Sequence, residues 1–163
     1  MTDDIWRLDA TAIAAGIRSG DFSSREAVAS CLQRLDAVNP QLNAIVESRP
    51  EEALAAADAA DRAVADGAEL GPLHGVPISV KGNHDLAGWA TVNGCAALQD
   101  NVAEFSSPSI QGLLDAGVVV IGRSNTPEFC VRWDTSNDLY GATVNPWNAN
   151  VSPTQSSNST ISC

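Results

Sequence analysis

The stretch PSIQGLLDAGVVVIG, residues 108–122, joins two readings that together decide the fold. Its first half places Ile110, Leu113 and Leu114 at helical spacing behind a proline suited to a first helical turn, with Gly117 as the stop. Its second half, 118–121, is an unbroken apolar run bounded by glycines, the pattern of a strand buried on both faces. A helix feeding directly into such a strand implies α/β layering with a mixed or parallel sheet.

Three helices are expected upstream. Residues 9–19 carry Ile13 and Ile17 one turn apart, and Gly20 ends that helix. Ser23 or Ser24 caps a second helix with Glu26 in its first turn; Val28, Cys31, Leu32 and Leu35 line one face, and Asn39-Pro40 stops it. Residues 43–47 read as a short strand. Pro50 opens a third, Ala-rich helix that runs through Asp66 and closes at Gly67. Residues 74–81 then alternate, with Val76, Ile78 and Val80 on one strand face. Thr126 reads as the N-cap of a short turn through Pro127 and Glu128. From Leu139 to Cys163 there is no charged residue, and Ser, Thr and Asn dominate from Asn148 onward. The reading is one domain over 1–163: a helical segment 1–70, an α/β region 71–147 and a polar, Ser-rich tail 148–163.

Composition narrows the function classes. A chain of 163 residues with 44% hydrophobic residues can bury one sizeable core. Its 20 acidic against 9 basic residues, a net charge of -11, leave no basic footprint for a nucleic acid. No apolar run is long enough to span a membrane, and the opening MTDDIWRLDA is acidic rather than a secretory signal. Cys31, Cys95, Cys130 and Cys163 form no CxxC pair, which fits reduced thiols and a cytoplasmic setting. His74 and His84 have no third partner for a metal; each reads as a turn histidine bonded to its own loop.

Lys81 is the only lysine of the chain, and it ends an apolar strand just before the turn signal Gly82-Asn83. Partial burial there would cost the charged form its solvation and lower the pKa, so that a neutral amine can serve as general base. The plainer reading is a strand-end lysine that snorkels to water. Arg123-Ser124-Asn125 follows a buried strand, as in phosphate sites, but the spaced glycines of such sites are missing. Residues 152–159, SPTQSSNS, offer several hydroxyls; taken by themselves they read as a flexible tail.

Order and spacing give these pieces a context. GPLHGVPISVKGN (71–83) resembles the lysine-bearing strand of the amidase-signature family, GPLHGVPxxVKDN. TVNG (91–94), AGVVVIGRSNTPEF (116–129) and DLYGATVNPW (138–147) resemble that family's TTNG, AGAVIIGKTNxPEF and NPLYGxTxNPW, in the same order. The resemblance implies a mixed β-sheet core surrounded by helices, incomplete here because the family's chains are much longer. It also implies hydrolysis of a linear carboxamide, a small-molecule substrate, by a Lys–Ser–Ser relay without metal or organic cofactor. Lys81 matches the relay lysine. Ser156 matches the bridging serine, which in the family follows a non-proline cis peptide, and Ser157 its neighbour, assigned to substrate binding. The attacking serine would lie beyond Cys163, so the chain alone is expected to be inert.

The serine loop departs from the resemblance. The family's PGGSSGG stands here as Pro153-Thr154-Gln155-Ser156-Ser157-Asn158-Ser159, so every glycine flanking the serine pair is replaced. A cis bond there costs about 3 kcal/mol and needs enforcing surroundings, so Ser156 is expected to be trans and out of reach of Lys81. Gly82 also replaces the family's Asp. Truncation is the favoured explanation of the ending; a short natural relative retained as a binding or assembly module, and an amidotransferase subunit fragment, are the alternatives. Phe129 and Trp133 read as core aromatics, with the lining of an acyl pocket as the alternative. A sheet lacking later strands would expose apolar edges and promote self-association.

Overall fold

The structure, a computed structural model, describes residues 2–147. After a 3-10 turn, Thr2–Arg7, come α1 (Ala10–Ser19), α2 (Ser24–Leu42), β1 (Ile45–Ser48), α3 (Pro50–Ala65), β2 (Pro77–Lys81), α4 (Pro108–Asp115) and β3 (Val119–Ser124). A small hairpin of β4 (Ser136–Asn137) and β5 (Gly141–Ala142) completes the described elements. The main sheet has the order β1-β3-β2; β3 is antiparallel to β1 and parallel to β2, which α4 makes possible by carrying the chain back across.

The helix ends follow local chemistry. Asp9 caps α1 by accepting from the Ala12 amide, and Ser23 with Glu26 forms a reciprocal capping box on α2. The Asp61 carboxylate of α3 also accepts from the Ser24 and Arg25 amides at 2.7 and 3.0 Å, bringing negative charge to the positive end of α2. Ala53, Ala57 and Ala60 are buried along α3, and such small side chains let it lie close to its neighbours.

Apolar side chains cover both faces of β3. Val119 and Ile121 pack with Val28, Cys31 and Leu32 of α2 and with Ala53 and Ala57 of α3. Val120 lies against the cluster of Val80, Leu86, Trp89 and Ile110, under α4. Val76 packs instead with Ile5, Ile13, Ile17 and Ala27. Val76 and Val80 therefore serve different clusters, and Ile78 between them packs against both. Val76 precedes the strand, and the β2–β3 register shifts between Ile78 and Ser79.

Other expectations are corrected. Pro40 does not stop α2, which continues to Leu42 and ends at Asn43 in the left-handed conformation. The Asn39 side chain makes this tolerable: its Oδ1 accepts from the Ala44 and Ile45 amides, both at 2.9 Å, and its Nδ2 donates to the Ile45 carbonyl. β3 does not end at Ile121. Gly122 is a point of close approach, where a Cβ would meet the Glu47 carbonyl oxygen at 2.7 Å, and pairing continues to Ser124. Thr126 is not an N-cap: its hydroxyl donates to the Pro127 carbonyl, and the 3-10 turn Glu128–Cys130 has left-handed φ of 48° at Phe129 and 58° at Cys130. His74 reaches out of its loop to the Ala60 carbonyl of α3, at 2.9 Å. Phe129 and Trp133 are not core residues, being 54% and 84% exposed. No described helix is long and apolar enough to cross a membrane.

Candidate active site

The parallel strands β2 and β3 end side by side, the end at which open α/β sheets offer room for ligands. Lys81 closes β2 and is registered with Ser124, the last residue of β3; one position back, Val80 is registered with Arg123. Paired residues share a face and successive ones alternate, so Lys81 and Ser124 project on one side, Val80 and Arg123 on the other. Lys81 is half-buried, and its ammonium has no hydrogen bond or ion pair among the described residues.

Four separate stretches of chain meet at this end. In the turn after Lys81, the Gly82 amide donates to the Ser124 carbonyl at 3.0 Å and the His84 amide to the Lys81 carbonyl at 3.0 Å. The Asn93 amide donates to the Gly82 carbonyl, and the Phe129 amide to the Asn93 carbonyl, tying residues 91–94 between the other two. Gly94 is required here: its φ is 66°, and a Cβ would stand 2.7 Å from the Thr126 carbonyl oxygen. The fourth stretch, around β4 and β5, is clipped on by asparagines. Asn125 Nδ2 donates to the Gly141 carbonyl and the Thr143 hydroxyl, while Asn125 Oδ1 accepts from the Thr126 amide and from Asn137 Nδ2. Asn137 Oδ1 accepts in turn from the Leu139 and Tyr140 amides. Asn43 Nδ2 donates to the Tyr140 and Ala142 carbonyls.

A small crevice opens between these stretches, lined among others by Glu47, Gly82, Arg123, Ser124, Asn125 and Tyr140. Lys81 does not line it; its neighbours Gly82 and Ser124 do. Burial holds the Arg123 guanidinium below its ordinary pKa, opposed by the charges of Glu47, Tyr140 and Asp85 and reinforced by Arg49. Burial likewise raises the Tyr140 phenol, helped by Glu47 and opposed by Arg123. Of the residues singled out in the sequence, the structure places Lys81 at this end of the sheet; Ser156 and Ser157 lie outside the described residues. No group of three or more His, Cys, Asp or Glu among the described residues could hold a metal ion. Sequence reasoning missed Asn137 and weighed Arg123 and Asn125 only as a phosphate site, because nothing local shows that their side chains turn inward.

The Amidase family profile matches residues 26–158. An indoleacetamide hydrolase of Bradyrhizobium diazoefficiens is 48% identical over 147 residues, covering 90% of this chain and 28% of the relative. A glutamyl-tRNA(Gln) amidotransferase subunit of Alkalilimnicola ehrlichii is 42% identical, over 89% of this chain and 30% of that protein. The solved structure of a fatty acid amide hydrolase superposes with a TM-score of 0.86 at 28% identity, over 91% of this chain and 26% of that one. The chain thus spans less than a third of the length of these relatives. With the profile matched from within α2 to beyond the last described strand, the chain belongs to the amidase-signature family.

Proposed function

We propose that this chain carries the lysine part of an amide hydrolase, with Lys81 as the base, Ser156 as the bridging hydroxyl and Ser157 beside the substrate. The observation that carries the reading is the placement of a half-buried lysine at the carboxyl end of a parallel strand, where four motif stretches converge. An amine there can draw a proton through a serine hydroxyl, which then serves a second, attacking hydroxyl on a carboxamide carbonyl. Under the resemblance the attacking role falls to neither Lys81, Ser156 nor Ser157, so turnover requires a further hydroxyl brought beside them. Similarity to a hydrolase of indoleacetamide supports a small, linear carboxamide as substrate. Part of an amidotransferase is the second reading, supported by the 42% identity to the glutamyl-tRNA(Gln) amidotransferase protein.

The test joins residues 1–147 to the remaining sequence of the indoleacetamide hydrolase and measures release of ammonia from indoleacetamide. The chimera should hydrolyse the amide, and Lys81→Met should lower kcat by about 10²–10⁴-fold, the usual share of general acid–base catalysis. A folded chimera whose turnover survives Lys81→Met rules out the lysine. Turnover by the 163-residue polypeptide itself rules out the division of roles.

A further inference from the structure

We infer that Arg123 is a positioning residue that staples the turn bearing Lys81. The inference rests on the reading of Lys81 as the base. Arg123 is 2% exposed, yet its Nε and Nη1 have no hydrogen-bond partner among the described residues. Burying a guanidinium with two nitrogens unsatisfied costs stability, and packing alone would favour an apolar side chain at this position. The partners it does have are specific. Nη2 donates to the His84 carbonyl at 2.6 Å and to the Lys81 carbonyl at 3.3 Å, the two ends of the turn that follows the lysine.

The backbone explains why this arginine can reach that turn. Register places Arg123 beside Val80, on the face opposite Lys81, so the guanidinium passes under the strand end and holds it from behind. The Lys81 carbonyl also accepts from the His84 amide, which makes it the shared anchor of turn and staple. Both acceptors are backbone oxygens and both bonds come from the one Nη2, so a single nitrogen ties the start and the end of the turn together. The backbone held in this way fixes where the Cα–Cβ bond of Lys81 leaves the strand, the starting point from which its amine reaches the site.

The test uses the 163-residue chain and exploits its single lysine. Reductive methylation with 13C-formaldehyde gives one dimethyl-lysine resonance, distinct from that of the terminal amine, and amide hydrogen exchange is followed residue by residue. Arg123→Met should speed exchange at His84 by about tenfold or more and move the Lys81 resonance towards its position in urea, while α2 and α3 stay protected. Arg123→Lys, which keeps a cationic donor, should restore His84 protection at least in part. A folded Arg123→Met protein with unchanged His84 exchange and Lys81 resonance overturns the staple. So does loss of protection spread equally over α2 and α3, or an Arg123→Lys protein no better than Arg123→Met. Should Arg123→Met fail to fold, the unsubstituted chain decides: Nη2 protons protected from solvent and close to His84 support the staple, and freely exchanging ones overturn it. No turnover is measured here, so this result and that of the chimera stand or fall separately.

Discussion

Asn125 and Asn137 tie the stretches around the site to one another through their side-chain amides. Each spends both ends of its amide, and each uses one end on the other: Asn137 Nδ2 donates to Asn125 Oδ1 at 2.7 Å and to the Thr126 carbonyl at 2.8 Å. Asn125 is buried, so its loss strands the buried Thr126 amide and removes a partner of Asn137, whereas the Gly141 carbonyl belongs to an exposed residue and can turn to water. Asn125→Ala should therefore lower unfolding free energy by about 2–3 kcal/mol, read from the urea midpoint at unchanged slope. Asn125→Ala with Asn137→Ala should cost less than the sum of the two, by about 1 kcal/mol, because both remove the same bond. Additive losses would show that the two amides act independently. Little of this was legible beforehand. Lys81 stood out because a lone cation after an apolar strand is visible in the sequence, whereas an asparagine in a turn looks the same whether its amide points to water or into a network.

At the level of elements, most ends were legible because they depend on neighbours in sequence. The capping box of Ser23 and Glu26, and Pro50 in the first turn of α3, need only residues within one turn. The C-terminal end of α2 is different, since Pro40 is a sound stop signal until the Asn39 side chain is seen taking up the amides beyond it. Asn39→Ala should remove that support, costing about 1–2 kcal/mol and speeding hydrogen exchange at Ala44 and Ile45 ahead of the rest of β1. Equal protection at those two amides in the variant would mean that the β1–β3 ladder, not Asn39, holds the junction. Gly122 is the converse case. Within the sequence it looks like a boundary, and only the carbonyl of Glu47 beside it shows that the strand needs a residue without a Cβ.

For the whole molecule, layering was legible because the apolar run of β3 demands cover on both faces, and α2, α3 and α4 supply it. What covers the other apolar side chains is a separate matter. Phe129, Val131 and Trp133 stand at alternate positions of one short stretch, and with Trp147 further along they are 54%, 77%, 84% and 94% exposed. Large apolar side chains exposed to this extent favour association. Against them stands the net charge of -11, which keeps copies apart at low ionic strength. The two terms respond oppositely to salt: screening removes the repulsion and leaves the apolar attraction intact. The 163-residue polypeptide should accordingly sediment as a larger species as salt or protein concentration rises, and Phe129→Ser with Trp133→Ser should shift it back towards monomer without lowering its melting temperature. An association that weakens with added salt would point to charge pairing instead, and a monomer at every salt and protein concentration would mean that these aromatics find cover within their own chain.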